Sequence, residues 1–336
     1  MGKKFGTVAL FLGAFLLALA ALSKFYMYDR LAVVPQNNVT TSISATADGA
    51  DAEYLDVAAG PAVVDGPLKS TRVVTGNVEL SKAASEELGG DIAVWDTFSC
   101  TDKPDFDCGS GDTPLSGTTD RVAFDRNTGE SVSWDQTSND SGGIKTRGAF
   151  QGLYFKFPFN TQKKDYKFWD GTVKAATTAE YKGEGEVKGL KVYEFEQVIE
   201  PTRTKGTAVP GSLLGIDKPT VVADQMYSNV RTFSVEPETG VIIVGGESQD
   251  SYLAVDGERK LTTTLATLVY TDENTQNTVD DYKGKSTALM AVRTIVPIGG
   301  TIVGLLLLAL GGFSLLRGRD TGGERHKDTD GADLTR

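Results

Sequence analysis

Two long apolar runs without a charged side chain lie near the two ends of the chain. The first spans residues 5–23 and the second spans residues 294–316. At about 1.5 Å per residue, either run can cross a hydrocarbon core about 30 Å thick as a helix. We therefore predict two transmembrane helices at these positions, with a kink at Pro297 near the outer end of the second.

The first run also fits a second interpretation. Lys3 and Lys4 precede it, and its Ala-Leu-Ala at 18–20 resembles the cleavage site of a signal peptide. However, the run is followed at 24–30 by aromatic and charged residues, which are typical of the membrane interface. For this reason we favour an uncleaved anchor over a removed signal peptide.

Basic residues flank both runs on the sides of the chain termini. They are Lys3 and Lys4 before the first run and Arg317 and Arg319 after the second. Positively charged flanks stay on the cytoplasmic side of a membrane. We therefore expect a plasma-membrane protein with both termini in the cytoplasm. Its parts would be a stub at 1–4, an extracytoplasmic domain at 24–293 and a disordered tail at 317–336.

The segment between the runs has the pattern of antiparallel β-strands. Short runs rich in Val, Tyr, Phe and Thr are separated by turn residues, and many of them alternate with polar residues. Within 191–199, for example, Tyr193, Phe195 and Ile199 fall on one face. The runs that we predict as strands are 92–95, 121–124, 131–134, 153–157, 190–199, 230–235, 241–244 and 261–270.

The connections between these runs carry turn and helix signals. Segments 125–130 and 236–240 each contain a glycine where a tight turn needs positive φ, so both are predicted to be hairpins. A short helix is predicted at 81–88, capped by Ser81 and ended by Gly89, and another at 278–293. Residues 36–52 are rich in Thr, Ser, Ala and Asn and are predicted to be a linker or loop. The predicted fold class is mainly β, an antiparallel exterior domain between N- and C-terminal transmembrane helices.

Charge and histidine content exclude several classes of function. The 336 residues carry a formal net charge of −11 and one histidine, His326, which falls in the predicted tail. The remaining exterior segment holds 27 basic and 40 acidic side chains, a net charge of −13. A histidine-dependent triad or metal site is therefore excluded from that segment, and its acidity argues against nucleic acid as a partner. No glycine-rich nucleotide motif occurs between a strand and a helix, so we expect no cofactor.

The two cysteines, Cys100 and Cys108, both fall in the predicted exterior segment. An oxidising compartment favours a disulfide between them. The alternative is a metal site formed by the two thiolates with Asp105 and Asp107. We favour the disulfide.

A block of interleaved aromatic and basic residues at 153–169 is the best candidate for a binding site. Such a block can stack on sugar rings, line an acyl channel or bind anionic headgroups. The more ordinary alternative is two strands with a buried aromatic face and a wet, basic turn at 160–165. The candidate ligand-binding residues are Tyr154, Phe155, Phe157, Phe159, Lys163, Lys164, Tyr166, Lys167 and Trp169.

Several segments resemble a known family. They are 25–35, 94–96, 123–129, 227–232, 235–240 and, most distinctively, GLYFKFPFNTQKKDYKFWD at 152–170. They are similar to the actinobacterial two-span membrane proteins known as the porin PorA family, whose mycobacterial members are called PgfA or LmcA. The resemblance implies an elongated, barrel-like β domain with an apolar, lipid-holding tunnel. It also implies trafficking of trehalose monomycolate beside an MmpL-type transporter, and lipoglycan maturation.

Three classes of function fit these observations. We favour a non-enzymatic, membrane-anchored protein that binds an envelope lipid or glycolipid and hands it to a transporter or an envelope synthase. A channel is the first alternative, disfavoured because a porin needs a closed barrel and two helices form a pore only by oligomerising. A carboxylate-dependent hydrolase of envelope glycans is the second, and it needs two facing carboxylates.

Overall fold

The computed structural model describes residues 2–47, 50, 52–57, 60–141 and 143–317. It divides into a helical unit, Met1–Leu31 with Ala288–Arg336, and a β unit, Ala32–Thr287. The helices are α1 (Gly2–Leu22), α2 (Tyr28–Leu31), α3 (Val78–Leu88), α4 (Asp272–Met290) and α5 (Val296–Arg317). The predictions for 318–336, including the disorder of the tail and the place of His326, lie outside the described residues.

Close contacts between glycines hold α1 and α5 together in the helical unit. A Cβ on Gly13 would lie 2.8 Å from the Gly304 carbonyl oxygen, and one on Gly311 would lie 2.8 Å from the Gly6 carbonyl oxygen. At the other end of the pair, the Ser23 hydroxyl donates to the Val292 carbonyl oxygen at 2.7 Å. The two helices are therefore antiparallel, and small residues let their backbones approach each other as in membrane-embedded helix pairs.

A π turn interrupts each of the two long helical segments. Ser23–Met27 joins α1 to α2, and Ala291–Ile295 joins α4 to α5 just before Pro297. Because proline has no N–H to donate, the regular helical ladder cannot continue unchanged at this point. The change of helix type ends two residues before Pro297, and the kink at Pro297 stays a prediction. Helix continues on both sides of it.

The β unit is built on one antiparallel sheet. Its strands are β1 (Val39–Thr46), β2 (Ala52–Asp56), β3 (Ala62–Gly66), β4 (Lys69–Gly76), β5 (Ile92–Asp102), β6 (Ser116–Asp125), β7 (Ser138–Ser141), β8 (Ile144–Arg147), β9 (Tyr166–Asp170), β10 (Ala175–Val187), β11 (Leu190–Val209), β12 (Val221–Val235), β13 (Ile242–Val255) and β14 (Glu258–Tyr270). Along the sheet they follow the order β8-β7-β6-β5-β4-β1-β14-β13-β12-β11-β10-β9, with β2 on β14 and β3 on β2. The sheet curls into a half-barrel, which confirms the mainly β, antiparallel fold class.

The two ends of the curled sheet are connected through segments that are not strands. Val132 N donates to the Ala123 carbonyl on β6, and Ser131 N donates to the Gly152 carbonyl, at 2.9 and 2.8 Å. The next residue along, Leu153, donates to the Lys167 carbonyl on β9 at 2.8 Å. Through residues 131–132 and 152–153, backbone hydrogen bonds therefore link β6 to β9. Segments 131–134 and 153–157, predicted as strands, contribute these bridges instead of full strands.

The other predicted strands lie within observed strands, apart from Val241, which comes directly before β13, but the predicted linker is wrong. Residues 39–46, Val-Thr-Thr-Ser-Ile-Ser-Ala-Thr, form β1 and pair with both β4 and β14. Small polar side chains suggested a loop, whereas the β-branched residues among them favour an extended strand. β1 is the central link that joins the two halves of the sheet.

The start of helix α3 also differs from the prediction, although its end does not. Asn77 is the N-cap, and its side-chain oxygen accepts from Leu80 N at 3.0 Å. Ser81 lies inside the helix, where its buried hydroxyl donates to the Asn77 carbonyl and accepts from Val94 N on β5. Gly89 ends the helix in the left-handed conformation with φ 70°, as predicted.

The concave face of the sheet carries the core of the β unit. On β12, Tyr227, Asn229, Phe233 and Val235 share the buried face, and their alternating neighbours point outwards. The largest core cluster fills this face with rings, from Phe157, Tyr166, Phe168, Phe195 and Phe233. Phe195 belongs to this cluster, and Tyr193 packs against it. Ile199 is buried and pairs with Asn229 of β12. The face predicted for 191–199 is therefore confirmed.

Candidate functional site

The nine candidate residues of the aromatic and basic block differ in burial. Tyr154, Phe157, Tyr166 and Trp169 are buried, Phe155 and Phe159 are half-buried, and Lys163, Lys164 and Lys167 are exposed. Because side chains alternate along β9, Lys167 lies on the face opposite to its neighbours Tyr166 and Phe168. The rings and the lysines therefore do not form one continuous surface.

The rings themselves divide into two groups. Phe157 stacks on Phe195 with a centroid distance of 4.5 Å, within the largest core cluster. Tyr154 instead contacts Phe155 at 4.6 Å and Phe150 at 5.3 Å, in a second cluster that also contains Trp169. The structure thus brings Tyr154, Phe155 and Trp169 together in one cluster and Phe157 and Tyr166 in the other, and ligand binding by the whole set stays a prediction.

The exposed lysines of the block contact residues of the same surface. Lys163 forms an ion pair with Glu184, and Lys167 Nζ donates to the Thr178 hydroxyl at 2.8 Å. Lys164 Nζ lies 5.3 Å from the ring centroid of Tyr166. These contacts place the three amines on a solvated turn and on the outer face of β9.

A band of polar side chains crosses the concave face beside the aromatic core, and sequence analysis missed it. Arg231 Nη1 donates to the Trp169 carbonyl and to Gln197 Oε1, both at 3.0 Å. The Gln197 amide in turn donates to the Phe168 carbonyl and to the Thr177 hydroxyl, both at 2.7 Å. The band therefore ties β9, β10, β11 and β12 together through side chains.

The same band continues along β12 towards β13. The Tyr227 hydroxyl donates to Asp170 Oδ2 at 3.0 Å and accepts from Asn229 Nδ2 at 2.9 Å. That amide nitrogen also lies 3.3 Å from Glu247 Oε2. Burial, followed by the charge of Asp170, raises the pKa of Tyr227, so the phenol stays a neutral donor.

Tyr154 marks the other side of the band. Its hydroxyl donates to Asp120, whose other oxygen accepts from Asn139 Nδ2 at 2.6 Å. The Arg72 guanidinium lies 5.0 Å from the Tyr154 ring centroid and donates through Nε to the Thr97 hydroxyl at 3.2 Å. Burial raises the pKa of Tyr154, while the charges of Arg72 and Arg231 act in the opposite direction.

A sequence signal for this band did exist. Tyr227, Asn229 and Arg231 alternate along one strand and continue into the apolar Phe233 and Val235 on the same face. Polar residues at alternate positions of a half-buried strand indicate a polar section of its inner face. Their partners come from β9, β11 and β13, and these long-range neighbours cannot be read from the strand alone.

One buried amine lies apart from the band. Lys156 is only 7% exposed; its Nζ donates to the Phe157 carbonyl at 2.6 Å and lies 3.9 Å from the Phe159 ring centroid. Burial lowers the pKa of Lys156 to about 7, against a smaller opposing effect of the Glu236 charge. Glu236 is itself buried, and its carboxylate accepts hydrogen bonds from Thr239 and Ser286. Both donors belong to the β unit.

The cysteines form the predicted disulfide. Cys100 and Cys108 are bonded, with their Cα atoms 6.0 Å apart, so the alternative metal site with Asp105 and Asp107 is wrong. Within the part of the chain that the structure describes, no group of three or more His, Cys, Asp or Glu side chains is arranged to hold a metal ion.

Comparison with known sequences identifies the family. The sequence profile described as Porin PorA matches residues 5–313, which is nearly the whole chain. The chain belongs to the Porin PorA family. A Porin PorA of Corynebacterium amycolatum is 24% identical over 316 residues, covering 76% of this chain and 79% of that protein. A Porin PorA of Corynebacterium resistens is 26% identical over 286 residues, covering 63% and 69%.

This membership confirms the family resemblance but corrects the function that we had favoured. The prediction of lipid binding and lipid transport is wrong, because the PorA family and both relatives are described as porins. One copy with two helices cannot enclose a pore, but several copies together can, so the channel alternative fits better. The transporter and synthase partners followed from the lipid role and stay untested predictions.

The PorA family match and the two apolar helical segments together identify a membrane protein. Both segments, Lys4–Leu31 and Asp272–Leu316, are long and apolar enough to cross a membrane. Their apolar parts lie in α1, at the start of the first segment, and in α5, at the end of the second, the two helices predicted from the apolar runs.

Proposed function

We propose that this protein forms a pore for small water-soluble solutes as an assembly of several copies. Membership of the Porin PorA family is the observation that carries this proposal. The two helices that are long and apolar enough to cross a membrane supply the anchor. We also propose that the protein is not an enzyme.

The need for several copies follows from the helix pair. α1 and α5 contact each other through Gly6, Gly13, Gly304 and Gly311, so the backbones leave no channel between them. The outward positions carry exposed apolar side chains, on α1 Phe5, Phe11 and Phe15 and on α5 Ile302, Leu306 and Phe313. Those side chains suit contact with lipid or with a neighbouring copy.

The β unit does not have the outer surface of a membrane barrel. Its convex face carries charged side chains in the middle of long strands, where Lys182 Nζ lies 2.9 Å from Glu180 and 3.0 Å from Glu196. A barrel wall that faces lipid carries an apolar band instead. We therefore place the membrane crossing in the helices.

The proposed topology has both termini in the cytoplasm and the β unit outside the plasma membrane. Lys3 and Lys4 precede the first apolar run, and Arg317 follows the second. The Cys100–Cys108 disulfide supports an oxidising compartment for the β unit.

Planar-bilayer recording of the purified full-length protein tests the pore. We expect stepwise conductance increases after addition of protein, and reconstitution is verified by flotation of protein with vesicles. Gly311→Leu, which places atoms against the Gly6 carbonyl, should lower the frequency of conductance steps. The matched control is Gly312→Leu, because no atom lies within 4 Å of a Cβ at Gly312. Silent membranes with confirmed incorporation would show that the proposal is wrong.

A further inference from the structure

Helix α4 packs on the sheet through one face, and the two halves of that face differ. In the first half, Val279 is buried in an apolar cluster with Val192 and Ile243 of the sheet. In the second half, Ser286 is the one fully buried side chain before the β unit ends, and Tyr282 is half-buried. Apolar packing therefore holds the first half of α4, whereas the second half depends largely on a polar contact.

The partner of Ser286 in this contact is a buried carboxylate. The Ser286 hydroxyl donates to Glu236 Oε1 at 2.7 Å, and Glu236 is only 2% exposed. The same carboxylate accepts from Glu238 N, Thr239 N and the Thr239 hydroxyl, at 3.0, 2.8 and 2.6 Å. These three donors belong to the turn at 236–240 itself. Among the described residues, Ser286 is therefore the one donor that joins this carboxylate to another element.

The turn that carries Glu236 is fixed on its other side. Gly240 has a φ of 72°, and a Cβ at this position would lie 2.1 Å from the Phe157 carbonyl oxygen. Phe157 N donates to the Gly240 carbonyl at 2.8 Å, and Thr161 N donates to the Pro237 carbonyl at 2.7 Å. The turn is thus bonded to segment 157–161 as well as to α4. If the contact with Ser286 opens, we expect α4 to move and the turn to keep its place.

The helix itself is weak next to this contact. Gly284 lies two residues before Ser286, and no atom lies within 4 Å of a Cβ built on it. Packing does not require a glycine there, and glycine destabilises the interior of a helix relative to alanine. Beyond the contact, the π turn at Ala291–Ile295 interrupts the regular α-helix. Segment 284–290 therefore lies between two weak points and can open without unfolding of the sheet.

We propose that the hydrogen bond between Ser286 and Glu236 is a releasable latch that controls local opening of α4 at 284–290. When it is closed, it holds the second half of α4 on the turn at 236–240. When it is open, it frees the segment that continues through the π turn into α5. The latch does not depend on the proposed pore. Its consequence, the regulation of conduction through movement of α5, rests on that proposed function.

Hydrogen exchange of the full-length protein in detergent, read by mass spectrometry, tests the latch. In Ser286→Ala, the amides of 284–290 should exchange about tenfold faster or more, because the variant removes a hydrogen bond to a charged group. The amides of 276–279, beside the apolar cluster, should keep their rates. Gly284→Ala should slow exchange at 284–290 about fivefold, because alanine favours the helix.

The matched control is Thr287→Ala. Thr287 is exposed, and its hydroxyl donates to the Lys283 carbonyl of its own helix at 2.9 Å. Its replacement should leave exchange at 284–290 nearly unchanged. Far-ultraviolet circular dichroism shows whether each variant folds, and if Ser286→Ala does not, Gly284→Ala decides by itself.

Three results would overturn the proposal. The first is exchange of Ser286→Ala at the rates of Thr287→Ala. The second is an equal acceleration over the whole β unit, which would show global and not local opening. The third is exchange of Gly284→Ala at the rates of the unaltered protein.

Planar-bilayer recording separates the latch from the pore. Where the unaltered protein conducts, Ser286→Ala should change the mean duration of the conductance steps relative to Thr287→Ala. Equal durations would overturn the regulation of conduction. Silent membranes with confirmed incorporation would contradict the proposed pore, and hydrogen exchange would still decide on the latch.

Discussion

The buried amine of Lys156 should make the stability of the β unit depend on pH. The pKa of this amine is about 7 in the folded protein, against 10.5 for an ordinary lysine, because burial disfavours the charged form. Between these two values, the unfolded chain holds a proton that the folded chain has released. The free energy of unfolding therefore rises with pH in this window, by about 1.4 kcal/mol per pH unit once the folded amine is neutral.

The magnitude follows from the pKa difference. Below pH 7 both states are protonated, and the full cost of burying the charge, about 5 kcal/mol, acts against folding. From pH 7 to pH 9 about 2 kcal/mol of this cost is removed, since the folded amine is half-protonated at the start of the interval. Burial raises the pKa values of Tyr154 and Tyr227, and the stability that they contribute is lost only above about pH 10, outside this interval.

Urea unfolding of the full-length protein in detergent measures this dependence. The three tryptophans all lie in the β unit, so their fluorescence follows its unfolding. The Lys156→Met variant keeps the length of the side chain but cannot titrate. We expect the unaltered protein to gain about 2 kcal/mol relative to this variant between pH 7 and pH 9. Lys167→Met, which removes an exposed amine of the same block, is the control. A parallel pH dependence of the unaltered protein and Lys156→Met would refute the reasoning.

Two further substitutions test the helix pair and the disulfide. Gly13→Leu should lower the thermal midpoint of the helical unit in detergent, because its side chain would meet the Gly304 carbonyl oxygen 2.8 Å away. Gly299→Leu, which meets no atom within 4 Å, should not, and equal midpoints for the two variants would contradict the packing. Replacing Cys100 and Cys108 by serine opens a short loop and should cost about 2–3 kcal/mol in urea unfolding. An unchanged urea midpoint would contradict that estimate.

Local sequence patterns predicted the parts of the fold that depend on local interactions. The two apolar runs gave α1 and α5, and Gly129 and Gly240 adopt positive φ values of 78° and 72° in the predicted turns. The wrong predictions concern residues whose hydrogen-bonding partners are distant in sequence. β1 was taken for a loop because nothing near it in the chain shows that β4 and β14 lie on its two sides. Ser81 resembled a helix cap, but its hydroxyl is used by Val94 on a neighbouring strand.

The aromatic block shows the limit of composition as a guide to a site. Its rings were recognised from the sequence, yet the rings lie in the core and the lysines lie on the solvated side. The polar band went unnoticed because its members are spread over β4, β6, β9, β11, β12 and β13, one or a few on each strand. Arg72 lies over the Tyr154 ring and Arg231 lies over the Phe168 and Phe233 rings, in two different core clusters, and no local sequence pattern indicates these contacts.

The net charge of the chain, like its composition, does not show where the charged side chains lie, so it is a poor guide to which solutes approach the protein. The exterior segment is strongly acidic, and a uniform acidic surface would repel anions. Acids and bases are not uniformly placed, however. Charged pairs such as Lys182 with Glu180 and Glu196 lie on the convex face, where they compensate each other in solvent. On the concave face, Arg72 and Arg231 have no acidic partner within 4.0 Å among the described residues, and reduced solvent access strengthens their field. The same face also holds the carboxylates of Asp120, Asp170 and Glu247, so the charge that a solute meets depends on the position along this face and not on the total of −13.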